Sequence, residues 1–287
     1  SRFEQFTWGQ VNPFGLCFDA LGNVYNADCH SKPVTMLLRG AYYSSFGKPH
    51  DGLGYGPNMI GHNHGSTGIC GVTYYDAAHF PPEYLDNIFI CNPVTGKVHR
   101  DKLQRFGSSY LVDTQPDFIT CEDQWFRPVD VQLGPDGALY VADFYNAIIG
   151  HYEVKLDHPK RDRTHGRIWR IIWRGADGKG KAPSPMPDLT RLSTDDLVAN
   201  LADPNIVVRT LATNQLVDRG KNILPTVSKI IDASADPKVL AHGAWVLERL
   251  GGLPKGLFAN LLGHRDRLVR VHLARILAER KEWKDDA

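Results

Sequence analysis

The sequence predicts a mainly β region followed by an all-α region: a partial β-propeller, then an α-solenoid. Three observations carry this. A strand–turn–strand text occurs twice, 115 residues apart. A looser third copy lies between the two. Past residue 175 the spacing of apolar residues changes from two to three and four.

The paired copies are NPFGLCFDALGNVYNADCHS (12–31) and RPVDVQLGPDGALYVADFYN (127–146). Without a gap, Pro13 meets Pro128, Gly22 meets Gly137, Tyr25 meets Tyr140, Ala27 meets Ala142 and Asp28 meets Asp143. Apolar positions agree as well: Leu16 with Val131, Phe18 with Leu133, Val24 with Leu139. Alternating apolar runs flanking a Gly-containing turn read as adjacent antiparallel strands. The third copy, GICGVTYYDAAHFPPEYLDNIFICN (68–92), has a longer turn built on Phe80-Pro81-Pro82. GKVHRDKLQRF and SYLVDTQPDFI supply two further strands of the middle unit, and GRIWRIIW (166–173) a closing edge strand. Four-stranded units repeated at this distance are propeller blades. The expectation is about three blades of a six-bladed type over 1–175, with RFEQFTWG as the outer strand of a preceding blade.

GADGKGKAPSPMPD (175–188) reads as a linker, taken as 176–192. Residues 193–287 carry helical spacing: Leu197, Leu201; Ile206, Leu211, Leu216; Ile223, Val227, Ile230; Val269, Leu273, Ile276. Asp203-Pro204 and Asp236-Pro237 recur 33 residues apart, and His264-Arg265-Asp266 takes a similar place further on. Asp before Pro suits a helix start. Helices are expected at Ile206–Asp218, Val239–Leu250 and Leu268–Arg280, each preceded by a shorter one, which is the plan of an α-solenoid. ADPNIVVRTLATNQLVDRG resembles HEAT repeats. Arg209, Arg270 and Arg275 are read as a solvated helix face or a partner-binding surface.

The chain has 287 residues, 42% hydrophobic and 23% charged, with net charge +1. No basic stripe marks a nucleic-acid binder. No apolar run approaches the roughly 18 residues of a membrane helix. The opening SRFEQFTWGQ lacks the apolar core of a signal peptide. The five cysteines form no C-x-x-C pair and read as small buried hydrophobes.

In a blade, the first strand starts where the second ends. That places Gln10, Asn12, His62, His64, Arg127 and Asp130 on one face with Asp28, His30, Asn92, Asp143 and Asn146. The stretch 40–67, with seven glycines and three histidines, opens onto the same face. Clustered titratable groups in a concavity are the default site. Arg127 and Asp130 break the repeat, where Asn12 and Gly15 stand. Asp143 and its mate Asp28 fit a structural role at the strand end. DRTHGRIWR brings Arg163 and His165 before the closing strand. Tyr74, Tyr75, Trp125 and Trp169 are expected in the core; Trp125 also suits stacking on a sugar or quinone ring.

WFRPVDVQLGPDGALYVADFYNAIIGH and RDRTHGRIWRI resemble the planctomycete-type, membrane-bound-dehydrogenase-like haem-binding proteins, whose propeller is similar to soluble quinoprotein glucose and sorbosone dehydrogenases. The resemblance implies a propeller, HEAT-like repeats and then a haem c domain. No CxxCH occurs in this chain, so that haem would lie outside it. It implies an extracytoplasmic protein oxidising a sugar or alcohol with pyrroloquinoline quinone (PQQ) and Ca²⁺. His62, His64 and Asp130 would then be catalytic. Arg127, Asn146, Arg163 and His165 would hold the quinone, and Asp130 and Asp143 the Ca²⁺. The alternative is a non-catalytic carbohydrate- or protein-binding propeller with a helical interaction arm.

Overall fold

A computed structural model describes residues 3–29, 34–43, 64, 68–150 and 153–280. The chain divides into two compact units: Ser1–Asp19 with Asn23–Pro183, and Ala20–Gly22 with Ser184–Ala287.

The first unit holds three antiparallel sheets. β1 (Pro13–Phe18), β2 (Val24–Asp28) and β3 (Val34–Leu37) form the first. β4 (Val72–Tyr75), β5 (Asn87–Asn92), β6 (Lys97–Phe106) and β7 (Ser109–Thr120) form the second. β8 (Pro128–Leu133), β9 (Leu139–Asp143) and β10 (Arg167–Ile171) form the third. Every sheet is a meander, with strands paired in chain order. The outer two sheets have three strands each among the described residues.

The 115-residue repeat is kept in three dimensions. Pro13 pairs with Asp28 as Pro128 pairs with Asp143, and Gly15 with Ala27 as Asp130 with Ala142. Each hairpin has its register shift at the same place, between Pro13 and Gly15 and between Pro128 and Asp130. Gly22 and Gly137 turn the two hairpins at φ 75 and 80, a region glycine enters freely.

β1 packs on β4, and β4 on β8. Glycine allows that approach. A Cβ at Gly15 would stand 2.3 Å from the Cys70 carbonyl oxygen, and one at Gly71 would stand 2.3 Å from Asp130 Cα. Tyr25, Tyr75, Phe89, Ile88, Ile90, Val131 and Val141 fill the interior. β5 is buried along its whole length, as a strand covered on both faces should be.

Two expectations fail here. RFEQFTWG forms no strand of a preceding blade. Trp8 makes an isolated parallel bridge to Tyr42, and its amide and carbonyl bond Ala41 and Tyr43, in the segment that follows β3. Trp169 is not core: it sits half-exposed on the edge strand β10. Tyr74 and Tyr75 are buried.

The second unit has six α-helices among the described residues: α1 (Thr194–Ala199), α2 (Ile206–Asp218), α3 (Leu224–Ala233), α4 (Pro237–Leu250), α5 (Lys255–Leu262) and α6 (Arg267–Glu279). α1 packs on α2, α3 on α4 and α5 on α6, while α2, α4 and α6 pack in succession. Leu197, Leu216, Ile231, Val246, Leu273 and Ile276 make one apolar core. Asp236 and Asp266 cap α4 and α6, accepting the amides of Lys238 and Leu268. α2 differs: Asn205, not Asp203, caps it, and Asp203 accepts the Asn205 amide instead. Arg209 is neither solvated nor a docking surface. It is buried and donates to the Asp203 and Pro204 carbonyls. Arg270 donates to the carbonyls of His264 and Arg265 in the same way but is exposed, as a solvated helix face requires.

Candidate functional site

The ends of β1, β2, β4, β5, β8 and β9 that the repeat aligns surround a cavity of about 700 Å³. Phe14, Ile69, Val94, Val129, Phe144 and Ile149 line it, with Asn12, Cys29 and Cys70. No charged side chain is among the described residues that line it. Burial raises the Cys29 thiol and pushes Cys70 up to about 12, so both stay protonated at neutral pH. All five cysteines are free thiols; Cys17, Cys70 and Cys91 are buried, and Cys121 is exposed.

The titratable groups at this end of the molecule are used in other ways. Arg127 donates from Nε to the Asn146 carbonyl (2.8 Å), from Nη1 to Pro93 (2.8 Å) and Val94 (3.2 Å), and from Nη2 to Ala147 (3.1 Å). Its fork ties the loop after β5 to the loop after β9. Burial lowers its pKa from the ordinary arginine value. Asp143 Oδ1 accepts the amides of Arg127 (2.8 Å) and Tyr145 (2.9 Å). Its Oδ2 accepts Arg167 Nε (2.6 Å) and Trp169 Nε1 (3.0 Å). Burial alone would raise this carboxyl; the four donors outweigh it and hold it below the ordinary carboxylate range. Asp28, its mate in the first sheet, likewise accepts backbone amides, those of Val11 and Asn12 at 2.9 Å. Asp130 lies on β8 and accepts Gln132 Nε2 on both oxygens.

A histidine pair stands where β5 ends and β6 begins. His64 Nε2 lies 2.8 Å from Asp101 Oδ2, and both side chains are almost wholly buried. The His64 ring stacks on His99 with centroids 4.1 Å apart and planes at 11°. His99 Nδ1 lies 2.6 Å from Asp117 Oδ1, and Lys97 Nζ donates to Asp117 Oδ2 at 2.8 Å. Asn92 donates to the His64 carbonyl and to His99 Nε2, both at 3.2 Å. Burial, opposed by the Asp117 hydrogen bond, lowers the His99 pKa, and the neighbouring His64 adds to the fall.

Of the residues expected at the mouth, His64 and Asn92 meet each other, and Arg127, Asp143 and Asn146 form a second group. His62 and His30 lie outside the described residues. Asn146 is buried, with its side chain on the backbone of Asp162. Arg163 is exposed and donates to the Leu156 carbonyl. His99, Asp101 and Asp117 went unread in the sequence. A signal existed: His99 and Asp101 alternate in KVHRD, so both side chains share one face of β6.

Of the residues expected to hold a quinone and Ca²⁺, Arg127 and Asp143 do not fit those groups. A carboxylate clamp needs an open guanidinium fork, and Arg127 spends its fork on four backbone carbonyls. A Ca²⁺ site needs six to eight oxygens, and both Asp143 oxygens are taken by protein donors. Among the described residues no group of three or more His, Cys, Asp or Glu converges as a metal site. No helix among them is long and apolar enough to cross a membrane.

No curated protein matches the sequence. Among solved structures, the chain is similar to an oxidoreductase titled glucose dehydrogenase from Thermus thermophilus, at 19% identity and TM-score 0.42, over 58% of this chain and 46% of that one. It is similar to the PQQ-bound aldose sugar dehydrogenase of Streptomyces coelicolor at 16% identity and TM-score 0.41, over 58% and 45%. It is also similar to the apo form of the soluble aldose sugar dehydrogenase of Escherichia coli at 20% identity and TM-score 0.36, over 50% and 44%. The chain spans less than half the length of each. Residues 1–175 match the model of a domain of unknown function, DUF7133, and the chain belongs to that family.

Proposed function

We propose that the chain is part of a dehydrogenase-like protein acting on a sugar or alcohol, and that His64, oriented by Asp101, accepts the proton of the substrate hydroxyl. The buried 2.8 Å contact between His64 Nε2 and Asp101 carries this reading. A carboxylate on one ring nitrogen fixes the tautomer and orientation of the imidazole and stabilises its protonated form. The hydride leaving the same carbon would pass to a redox cofactor, to which Arg127 and Asp143, already engaged by protein groups, are not assigned.

Three meander sheets packed first strand against first strand support reading residues 1–175 as propeller blades. The paired helices support reading 193–287 as a HEAT-like interaction arm, with 176–192 as the linker. Electron transfer to a haem c domain outside this chain, and an extracytoplasmic location, follow from the family resemblance.

The test is oxidation of an aldose and alcohol panel by the full-length protein with a dye acceptor. Asp101→Asn should lower kcat by about 10²–10⁴-fold, the usual worth of positioned acid–base catalysis. A second reading, a non-catalytic carbohydrate-binding propeller, is favoured by the cavity whose described lining residues carry no charge. Saccharide binding with no dye reduction would select it.

A further inference from the structure

The packing of α2 on α4 contains a polar chain that a single proton would disrupt. Arg209 and Thr213 stand one turn apart on α2, and His242 meets both from α4. Arg209 is buried and donates from Nη1 to the carbonyls of Asp203 (2.7 Å) and Pro204 (3.0 Å), which fixes its guanidinium at the start of α2. Thr213 is also buried, and its hydroxyl donates its one proton to the Arg209 carbonyl at 2.8 Å. Towards His242 Nδ1, 2.9 Å away, the hydroxyl oxygen can then only accept. That sets the tautomer: the ring proton sits on Nδ1, and Nε2 keeps its lone pair. The lone pair meets the Arg209 Nε–H at 3.4 Å.

The charged groups acting on His242 oppose a second ring proton. Arg209 comes from α2 and Lys238 from its own helix. His272 of α6 stands with its ring centroid 6.2 Å away. His272 accepts Trp245 Nε1–H on Nδ1 at 3.0 Å and is therefore neutral; protonated, it would add to the opposition. Burial first, and then Arg209, hold the His242 ring far below the ordinary histidine value, at about 3. An unfolded histidine takes up its proton at about 6.5. The stability of the packed pair is therefore full above that value and is lost progressively as pH falls from it towards the folded one.

We propose that His242 is an acid-operated release for the contact between α2 and α4. A solvent proton taken up at Nε2 places an imidazolium against the Arg209 guanidinium and removes the acceptor of Arg209 Nε–H. Arg209 cannot turn away without giving up the carbonyls at the start of α2. Separation of the two helices relieves both the repulsion and the lost bond. The release lies within the second unit, shares no residue with His64 and Asp101, and does not rest on their role in catalysis.

The test is hydrogen exchange of the full-length protein across a pH series, corrected for intrinsic exchange, with the His242 ring followed by NMR. Opening of Ile206–Asp218 should rise about 10-fold per pH unit below about 6.5, the linkage of one proton. His242→Gln keeps a donor and an acceptor but takes up no proton, so its exchange should stay within about 2-fold over the same series. His272→Gln should keep the rise. A wild-type ring that takes up its proton near 6.5 while α2 stays protected would overturn the release. So would α2 exchange that does not rise with acid, or a rise that persists in His242→Gln. If His242→Gln is not helical at neutral pH, the wild-type ring titration and α2 exchange decide by the same criteria.

Discussion

The β1–β2 and β8–β9 hairpins share a register, a bulge position and a turn glycine, yet their ends do different work. In the first, Asp28 accepts two backbone amides. In the second, Asp143 accepts two amides and also draws in Arg167 and Trp169. Asn12 donates to Cys29 Sγ within its own sheet, whereas its mate Arg127 reaches across to the loop after β5. The outer faces differ too. Phe14, Leu16 and Phe18 leave β1 exposed and apolar, while β8 presents Asp130 and Gln132. The repeat therefore sets backbone geometry, and departures from it mark where one sheet is tied to another or to a loop.

That difference should appear first in stability. Asp143→Ala should cost about 3–5 kcal/mol, because it strips a buried carboxylate from Arg167. Asp28→Ala should cost about 1–3 kcal/mol, the loss of acceptors for two amides. Equal costs in chemical denaturation would break the contrast. Next, Arg127→Lys should cost about 1–3 kcal/mol, because an ammonium cannot span four carbonyls. Asn12→Ala should cost under about 1 kcal/mol.

A pH series sharpens the same point. The folded pKa of Asp143 lies below the unfolded carboxylate value. Its contribution is full above that unfolded value and is lost as pH falls through the folded one. Acid denaturation of Asp143→Asn should lack this part of the loss, and an unchanged acid limb would remove Asp143 as its source. The smallest effect is expected at the exposed apolar row. Leu16→Gln should change stability by no more than about 0.5 kcal/mol. A larger loss would mean that this face is covered.

Much of the fold was legible because it rests on local pattern. Alternation and Gly turns marked the hairpins, and their offset matched the equivalent positions of the two, which take the same register. The helix expected at Ile206–Asp218 coincides with α2, since three-and-four spacing and an Asn or Asp cap are local signals. The site was less legible. Arg127 looked like a ligand clamp because it breaks the repeat, but its partners include backbone carbonyls more than 30 residues upstream, which side-chain chemistry does not reveal. Trp169 looked like core from its apolar neighbours, yet on an edge strand its ring meets Arg167 at 5.2 Å. The Asp101 partner of His64 is 37 residues away and depends on how β6 lies beside the loop carrying His64.

The proposed chemistry rests on His64 and Asp101. The decisive measurement is the pH profile of sugar and alcohol oxidation by the full-length protein with a dye acceptor, in wild type and Asp101→Asn. Loss of about 10²–10⁴-fold in kcat, with the basic requirement in the profile displaced, is the predicted result. Oxidation at the wild-type rate in Asp101→Asn would contradict it.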